Sequence, residues 1–222
     1  MNKIKIILSV FLILSLSAKA DGDGVNTMSS INGFLIDLNY SIAPVSSLAP
    51  QPTPLSFMGG GISMVSNQTL KIGFSGNMTI PTSNRTIGYT LDSDTIDIEY
   101  DSWDLKMSVA YLIRLESINS HIAPSLALGY GRANVERVDY YLEERKSYLE
   151  HSNLILVEPA LSFNYVVDQS FILSLGVSYQ VAVPDRLMIN YSSSELNVLK
   201  VNVGLAFGVM QGNGGSRRGR RR

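Results

Sequence analysis

The chain contains no cysteine and only two histidines, His121 and His151. Without cysteine it can form neither a disulfide framework nor a thiolate metal site, and it has no thiolate nucleophile. Two histidines cannot supply a multi-histidine metal centre. These absences exclude small disulfide-stapled domains and thiol enzymes. We expect no metal and no cofactor, and on separate grounds given below we also expect no catalytic residues.

The chain also lacks a charge-free run long enough for a spanning helix, which needs roughly 20 residues. A shorter apolar stretch, residues 6–16, follows Lys3 and Lys5 and precedes the small-x-small sequence at 18–20. This order is typical of a cleaved signal peptide, and a membrane anchor would need a longer span. We predict a signal peptide over 1–20 and an N-terminal linker over 21–30.

Basic residues are scarce in the body of the chain, although the formal net charge is only -1. Three of the 18 lie in the predicted signal peptide and five in the last six positions, which leaves ten against 19 acidic residues. Such a surface does not attract nucleic acid, so we expect no nucleic-acid partner. The Gly/Arg-rich segment 211–222 is predicted to be disordered and to offer an anion-binding tail. Its arginines are Arg217, Arg218, Arg220, Arg221 and Arg222.

Period-two alternation begins after Ser30 and indicates β-strands. In residues 103–115 the odd positions are apolar or aromatic, and the even positions are mostly small or charged. A helix would mix these two sets on its surface. The same reading predicts eight strands, with the second weakened by Gly59-Gly60-Gly61. We place them near 31–42, 55–66, 69–80, 101–116, 120–133, 153–166, 170–183 and 195–210.

The predicted connections alternate between short and long. Short turns lie near 67–68, 117–119 and 167–169, and long loops span 43–54, 81–100, 134–152 and 184–194. The charged, tyrosine-containing loop at 134–152 is expected to form a short helix or an extended hairpin. Tight turns on one side and long loops on the other are typical of bacterial barrels with periplasmic turns and extracellular loops.

Alternation alone also fits a soluble β-sandwich, so the composition of the two faces decides. The less apolar face is rich in Gly, Ala, Ser and Asn, which suit the crowded inside of an eight-stranded barrel. Aromatic residues on the apolar face fall near both strand ends, as expected for two membrane-interface girdles. The predicted long-loop girdle is Tyr40, Trp103, Tyr130 and Tyr179, and the short-turn girdle is Phe34, Tyr165, Phe171 and Phe207.

The signal peptide, the eight amphipathic strands and a final strand ending in residues 204–210 resemble the small outer-membrane barrels of the OmpA-transmembrane-domain and OmpX type. The resemblance covers about 31–210. It implies an all-β, antiparallel, up-and-down transmembrane β-barrel in the bacterial outer membrane, in contact with its lipid. Members of that class usually end at an aromatic residue of the last strand. In that class the assembly machinery recognises this aromatic residue. Here the tail 211–222 follows the last strand, and Phe207 is the candidate for recognition by that machinery.

Four charges fall on the inward face at comparable heights and predict a lumen network. They are Asp37, Lys106, Glu158 and Lys200. Charges inside a narrow barrel must pair, because unpaired burial is costly. The network could form an ion path, but eight strands leave no open channel, so an internal plug is the favoured interpretation. Lys71 is expected nearer the periplasmic end.

A lipid-modifying enzyme of the eight-stranded class would need His151, Ser152 and Glu158 to act together at the outer rim. Adjacent residues of a strand point to opposite faces, so His151 and Ser152 cannot share one. His121, beside a predicted short turn, is expected to be solvated. We predict a non-enzymatic barrel with a structural or surface-interaction role through its loops, possible partners being an envelope polymer or a protein. The alternatives are a narrow solute channel and, less favoured, the lipid-modifying enzyme.

Overall fold

The computed structural model describes residues 33–43, 54–67, 69–80, 85–89, 95–115, 119–141, 144–167, 170–186 and 196–210. The predicted signal peptide, the predicted linker and the predicted arginine tail lie outside the described residues. Among the described residues, no helix is long and apolar enough to cross a membrane.

The described residues form ten strands. They are β1 (Gly33–Ala43), β2 (Leu55–Ser66), β3 (Leu70–Thr79), β4 (Arg85–Tyr89), β5 (Thr95–Tyr111), β6 (Ile113–Leu115), β7 (Ser120–Tyr141), β8 (Glu144–Val166), β9 (Phe171–Pro184) and β10 (Val198–Met210).

The strands close into an antiparallel barrel. β1 pairs with β2 on one side and with β10 on the other, and β5 pairs with β7. β6 continues β5 against β7 in the same register after Leu112, so β5 and β6 together count as one strand of the barrel wall. The described residues thus give a wall of eight strands, which we call staves. β4 pairs only with β5 and lies outside the wall. Closure leaves no unpaired sheet edge in the wall. The predicted fold, an eight-stranded antiparallel barrel, is confirmed.

The two faces of the wall have opposite exposure. On β5, Leu105 is 62% exposed while the neighbouring Lys106 is 6% exposed. The same holds on the other staves, where large apolar side chains point outward and polar ones inward. Because a water-soluble sheet would bury its apolar face, this arrangement fits a wall surrounded by hydrocarbon.

Three strands continue well past the barrel wall at the long-loop end. β5 already begins at Thr95, and β7 and β8 remain paired from Asn134↔His151 up to Tyr141↔Glu144. With β4 they form what we call the extension sheet, residues 85–89, 95–101, 134–141 and 144–153. The predicted loop at 81–100 is thus wrong in part, and of the two alternatives for 134–152 the described residues form the paired strands of an extended hairpin, 134–141 and 144–152. Strict alternation fades there because neither face has to meet lipid, so the period-two signal understated the strands.

The glycine triplet does not interrupt β2, which pairs without a break to β1 and β3. A Cβ on Gly59 would overlap the side-chain oxygen of Asn77 and approach that of Asn39 to 2.6 Å. Gly59 therefore leaves room for the hydrogen bond from Asn39 Nδ2 to Asn77 Oδ1, 2.8 Å long. The tight turn after β2 uses Asn67 at φ 51°, a left-handed conformation that asparagine tolerates.

We expect Met107→Arg to lower the free energy of unfolding in lipid bilayers by about 2–4 kcal/mol, because Met107 lies outward in the middle of β5. The matched control, Val167→Arg, alters an exposed residue next to a short turn, where the expected cost is about 0–1 kcal/mol. Denaturant titration of both variants in vesicles measures the difference. Equal costs at the two positions would contradict a lipid-facing wall.

Candidate functional site

A set of charged side chains crosses the barrel interior because glycines on β7 leave room for it. Lys106 and Asp104 on β5 lie directly opposite Gly129 and Gly131. A Cβ on Gly129 would approach Lys106 Cγ to 2.6 Å, and one on Gly131 would approach Asp104 Cβ to 3.0 Å. The Lys106 side chain therefore passes over β7 and reaches Glu158 on β8.

Glu158 joins two lysines. Its Oε2 lies 2.5 Å from Lys106 Nζ and 3.5 Å from Lys200 Nζ, and Lys106 Nζ also lies 2.9 Å from Asp104 Oδ2. Gln180 Oε1 accepts hydrogen bonds from Lys200 Nζ at 2.6 Å and from Lys106 Nζ at 3.2 Å. We call Asp104, Lys106, Glu158, Gln180 and Lys200 the charged layer.

The charged layer is buried, and its charges balance. The side chains of Lys106 and Lys200 are only 4% and 3% exposed. Two lysines face two carboxylates, so the layer carries no formal excess charge. The Lys200 ammonium also lies 4.5 Å from the centre of the Phe57 ring, a cation–π contact. Such pairing is what burial of charge requires.

Hydrogen bonds extend the layer around most of the wall. Asn77 Nδ2 donates to Asp104 Oδ1 at 2.7 Å, and Asn39 donates in turn to Asn77. On the other side, Ser178 Oγ donates to Glu158 Oε1 at 2.6 Å and accepts from Asn202 Nδ2 at 3.0 Å. The network thereby links β1, β3, β5, β8, β9 and β10.

Asp37 does not belong to the charged layer. It pairs with Lys71, whose Nζ lies 2.7 Å from Asp37 Oδ1, and it accepts a hydrogen bond from Ser63. Expecting Asp37 at the height of Lys106 was wrong, because it lies only two inward positions from the short-turn end of β1. The sequence reading also left Asp104 and Gln180 out of the network. The opposite charges of Asp104 and Lys106, two residues apart on one face, were the available signal.

Two apolar layers fill the inside of the barrel at its ends. The mouth layer, at the long-loop end, consists of Ala43, Leu55, Phe57, Tyr100, Ala133, Leu154, Leu156, Ala182, Leu196 and Val198. The base layer, at the short-turn end, consists of Leu35, Val65, Ala110, Leu112, Ala123, Val166, Ile172 and Ala206. Each of these residues is at most 8% exposed. From mouth to base, the lumen contains the mouth layer, the charged layer, a region of small polar residues and the base layer.

The eight aromatic residues of the predicted girdles all lie on the outward face. Trp103 and Tyr130 make an edge-to-face contact with ring centres 6.2 Å apart, and the Tyr40 hydroxyl donates to Ser56 Oγ at 3.0 Å. At the other end, Phe171 and Phe207 pack with ring centres 4.9 Å apart. A girdle function for these residues stays a prediction.

The residues considered for an enzymatic site do not meet. His151 is exposed, whereas Ser152 is buried on the other face of β8. Ser152 Oγ donates to Asp185 Oδ1 at 3.0 Å, and Asn153 Nδ2 donates to Asp185 Oδ2 at 2.8 Å. The hydrogen bond from Asn153, helped by that from Ser152, lowers the pKa of Asp185, which follows β9 beyond the apolar wall. These contacts favour the ionised carboxylate and are lost as the pH falls through that lowered pKa.

His121 is buried, at 4% exposure, on the inward face near the short-turn end. Its predicted solvation was wrong, because β7 already begins at Ser120 and pairs His121 with Arg114 and Asn164. Among the described residues, no group of three or more histidine, aspartate and glutamate side chains could hold a metal ion.

Comparison with known proteins relates the chain to solved structures alone. No protein-family model matches it, and no curated protein does. Neisserial surface protein A shares 12% identity with a TM-score of 0.55, covering 80% of this chain and 98% of its own. Ail of Yersinia pestis, in complex with the heparin analogue sucrose octasulfate, shares 11% identity with a TM-score of 0.52, covering 81% and 99%.

A major outer membrane protein from Thermus thermophilus shares 13% identity with a TM-score of 0.51, covering 79% of this chain and 99% of its own. At such identities these similarities establish a shared fold and nothing finer. The chain is thus similar in architecture to small barrels of bacterial outer membranes.

We expect Glu158→Gln to lower the free energy of unfolding by about 3–5 kcal/mol, because it leaves two buried lysines without their shared carboxylate. The matched control is Asp37→Asn, whose pair with Lys71 is more than a quarter exposed, and its cost should be smaller. Denaturant titration in detergent or vesicles measures both. If the two substitutions cost the same, the charged layer would not be the main internal support of the barrel.

Proposed function

We propose that this chain, which has the fold of the small outer-membrane barrels, is a non-enzymatic protein of the bacterial outer membrane with a surface-interaction role. The observation that carries the location is the outward apolar wall around a polar, charge-paired interior. Outer-membrane lipid would then be its immediate surroundings. An exported chain is required, which agrees with the signal peptide predicted over 1–20.

A solute channel is less well supported. The mouth and base layers are apolar and buried, and the charged layer between them is hydrogen-bonded across six strands. Conduction would require opening apolar and charged barriers in series. An enzyme is also less well supported, because His151, Ser152 and Glu158 lie apart.

The extension sheet is the best candidate for the interacting element. It stands beyond the wall on the side opposite Gly33 and Met210, which pair at the short-turn end. An up-and-down barrel with its short turns in the periplasm would present this sheet outside the cell. The arginine tail after Met210 would then lie in the periplasm, where it could bind an anionic envelope polymer.

The charge of the extension sheet suggests which partners it favours. Seven of its residues are acidic and four are basic. The acidic ones are Asp97, Glu99, Asp101, Glu136, Asp139, Glu144 and Glu150, and the basic ones are Arg85, Arg137, Arg145 and Lys146. This excess of negative charge disfavours a polyanion such as the heparin analogue found with Ail, and it favours a cationic surface.

Fractionation tests the location. We expect the full chain to sediment with outer membranes and to change its gel mobility on boiling, because a closed barrel stays folded in mild detergent until it is heated. Recovery in the soluble periplasm, as a band that boiling does not move, would refute the location.

Cells displaying the protein test the surface role. We expect better retention on polylysine than on heparin, with the difference shrinking as salt is raised, because salt screens exposed charges. Removing two carboxylates from the β5 part of the sheet, with Asp97→Asn and Glu99→Gln, should reduce retention on polylysine.

The matched control removes positive charge from the same sheet, with Arg137→Gln and Arg145→Gln, and should increase retention on polylysine. Heat modifiability verifies that each variant still closes its barrel. If displaying cells behave like cells without the protein on both surfaces, the proposed role of the extension sheet is wrong, whereas the location stands on its own test.

A further inference from the structure

β8 loses one of its two partner strands at the rim of the barrel. From Leu154 to Val166 it lies between β7 and β9, whereas from Glu144 to Asn153 it pairs, among the described strands, with β7 alone. A strand that loses a partner frays at that point unless its backbone N–H and C=O groups find other fixed partners. The residue at this changeover therefore decides how firmly the extension sheet is held to the wall.

Asp185, the residue after β9, occupies the changeover. Its backbone N–H donates to Asn153 O at 2.9 Å, as the next step of the β8–β9 ladder would require. The return bond is different, because Asn153 N–H donates to Asp185 Oδ1 at 3.0 Å, so that a side-chain oxygen takes the place of the backbone carbonyl. The same carboxylate accepts hydrogen bonds from Ser152 Oγ and Asn153 Nδ2. Four hydrogen bonds thus join one residue to β8 at the point where β9 ends.

Two other strands of the wall end at the same rim in a similar way. Thr79, the last residue of β3, accepts a hydrogen bond through Oγ1 from Ser102 N–H at 2.8 Å. Asn197, just before β10, accepts one through Oδ1 from Ala182 N–H at 2.9 Å. Short polar side chains of this kind compete for backbone N–H groups and so end regular structure. Of the three accepting side chains, only that of Asp185 titrates.

Protonation disrupts the hydrogen bonds at Asp185. An ionised carboxylate only accepts hydrogen bonds, whereas a protonated one carries an O–H donor. Both oxygens accept here, from three donors of β8, so a proton on either oxygen sets one donor against another. The hydrogen bond from Asn153 holds the pKa of Asp185 below its ordinary value, so the set is complete at neutral pH and is lost as the pH falls through that lowered pKa.

Other charged groups surround this carboxylate. Arg186 follows Asp185 in the chain and helps to keep it ionised. Glu150 and His151 lie within a few residues on β8, and Arg132 of β7 lies opposite the position that the carboxylate caps. Because Glu150 and His151 also titrate, an effect of acid is assigned to Asp185 only when a change at this residue alone removes it.

We propose that Asp185 is an acid-labile strand stop, which holds the root of the extension sheet at neutral pH and releases β8 from the rim in acid. Asp185 is a positioning residue in this role, because it acts through Ser152 and Asn153 and not on a ligand. The inference concerns the junction between the wall and the extension sheet, and it holds whether or not that sheet binds a partner.

Amide hydrogen exchange in the full chain, folded in detergent micelles, tests the stop at neutral pH. The amide of residue 153 should exchange about tenfold faster in Asp185→Ala than in the unaltered chain, because it loses its acceptor, while the amide of residue 182 is unchanged. The matched variant Asn197→Ala should give the reverse pattern. Heat modifiability verifies that each barrel stays closed. Unchanged exchange at residue 153 in Asp185→Ala would show that the carboxylate does not hold the junction.

An acid titration of the unaltered chain tests the release and does not depend on the alanine variants. Exchange is expressed relative to an unstructured peptide at the same pH, which removes the intrinsic pH dependence of exchange. Between neutral pH and about pH 2, below the ordinary Asp pKa of about 3.9, protection at residue 153 should fall while protection at residue 182 persists. Asp185→Asn should keep both, because its amide oxygen accepts at every pH. If protection at residue 153 survives acid in the unaltered chain, or falls equally in Asp185→Asn, the proposal is wrong.

Discussion

The hydrogen-bond ladder between β1 and β10 closes the barrel, and the rest of the structure depends on it. It runs from Gly33↔Met210 to Ile42↔Val201 and joins the first and last staves of the chain. Without it, two strand edges would stand unpaired in hydrocarbon, where no water can satisfy their backbone groups. Closure also creates a lumen, and every second side chain of each stave must fit inside it.

Large inward side chains fit in the lumen because small residues lie opposite them on neighbouring staves. Lys106 and Asp104 can lie in the lumen because Gly129 and Gly131 face them, and Gly59 clears space for the Asn39–Asn77 hydrogen bond. Where small residues coincide at one height, the lumen keeps unfilled space, and where leucines coincide, the lumen is filled. The same arrangement therefore produces both the charged layer and the space beneath it.

The period-two signal predicted the barrel and its staves, because every stave has one apolar outward face and one face toward the lumen. It missed the strand at Thr95–Tyr100 and left a helix and a hairpin as alternatives at residues 134–152, because the strands leave the wall there and the constraint ends. Alternation also identified which charges point inward, including Lys106, Glu158 and Lys200. It could not place Asp37 beside Lys71. The relative heights of two residues on different staves depend on the register between the strands, and the pattern of a single strand does not contain that register.

The strands β5, β7 and β8 run without a break from the barrel wall into the extension sheet. A pull on the tip of the β7–β8 hairpin along the strand direction would load their wall ladders in shear, with many hydrogen bonds sharing the force at once. A projection joined by a flexible loop would instead move independently of its anchor. Continuous strands join the extension sheet rigidly to the barrel, so that tension on the sheet would be carried directly into the hydrogen-bond ladders of the wall.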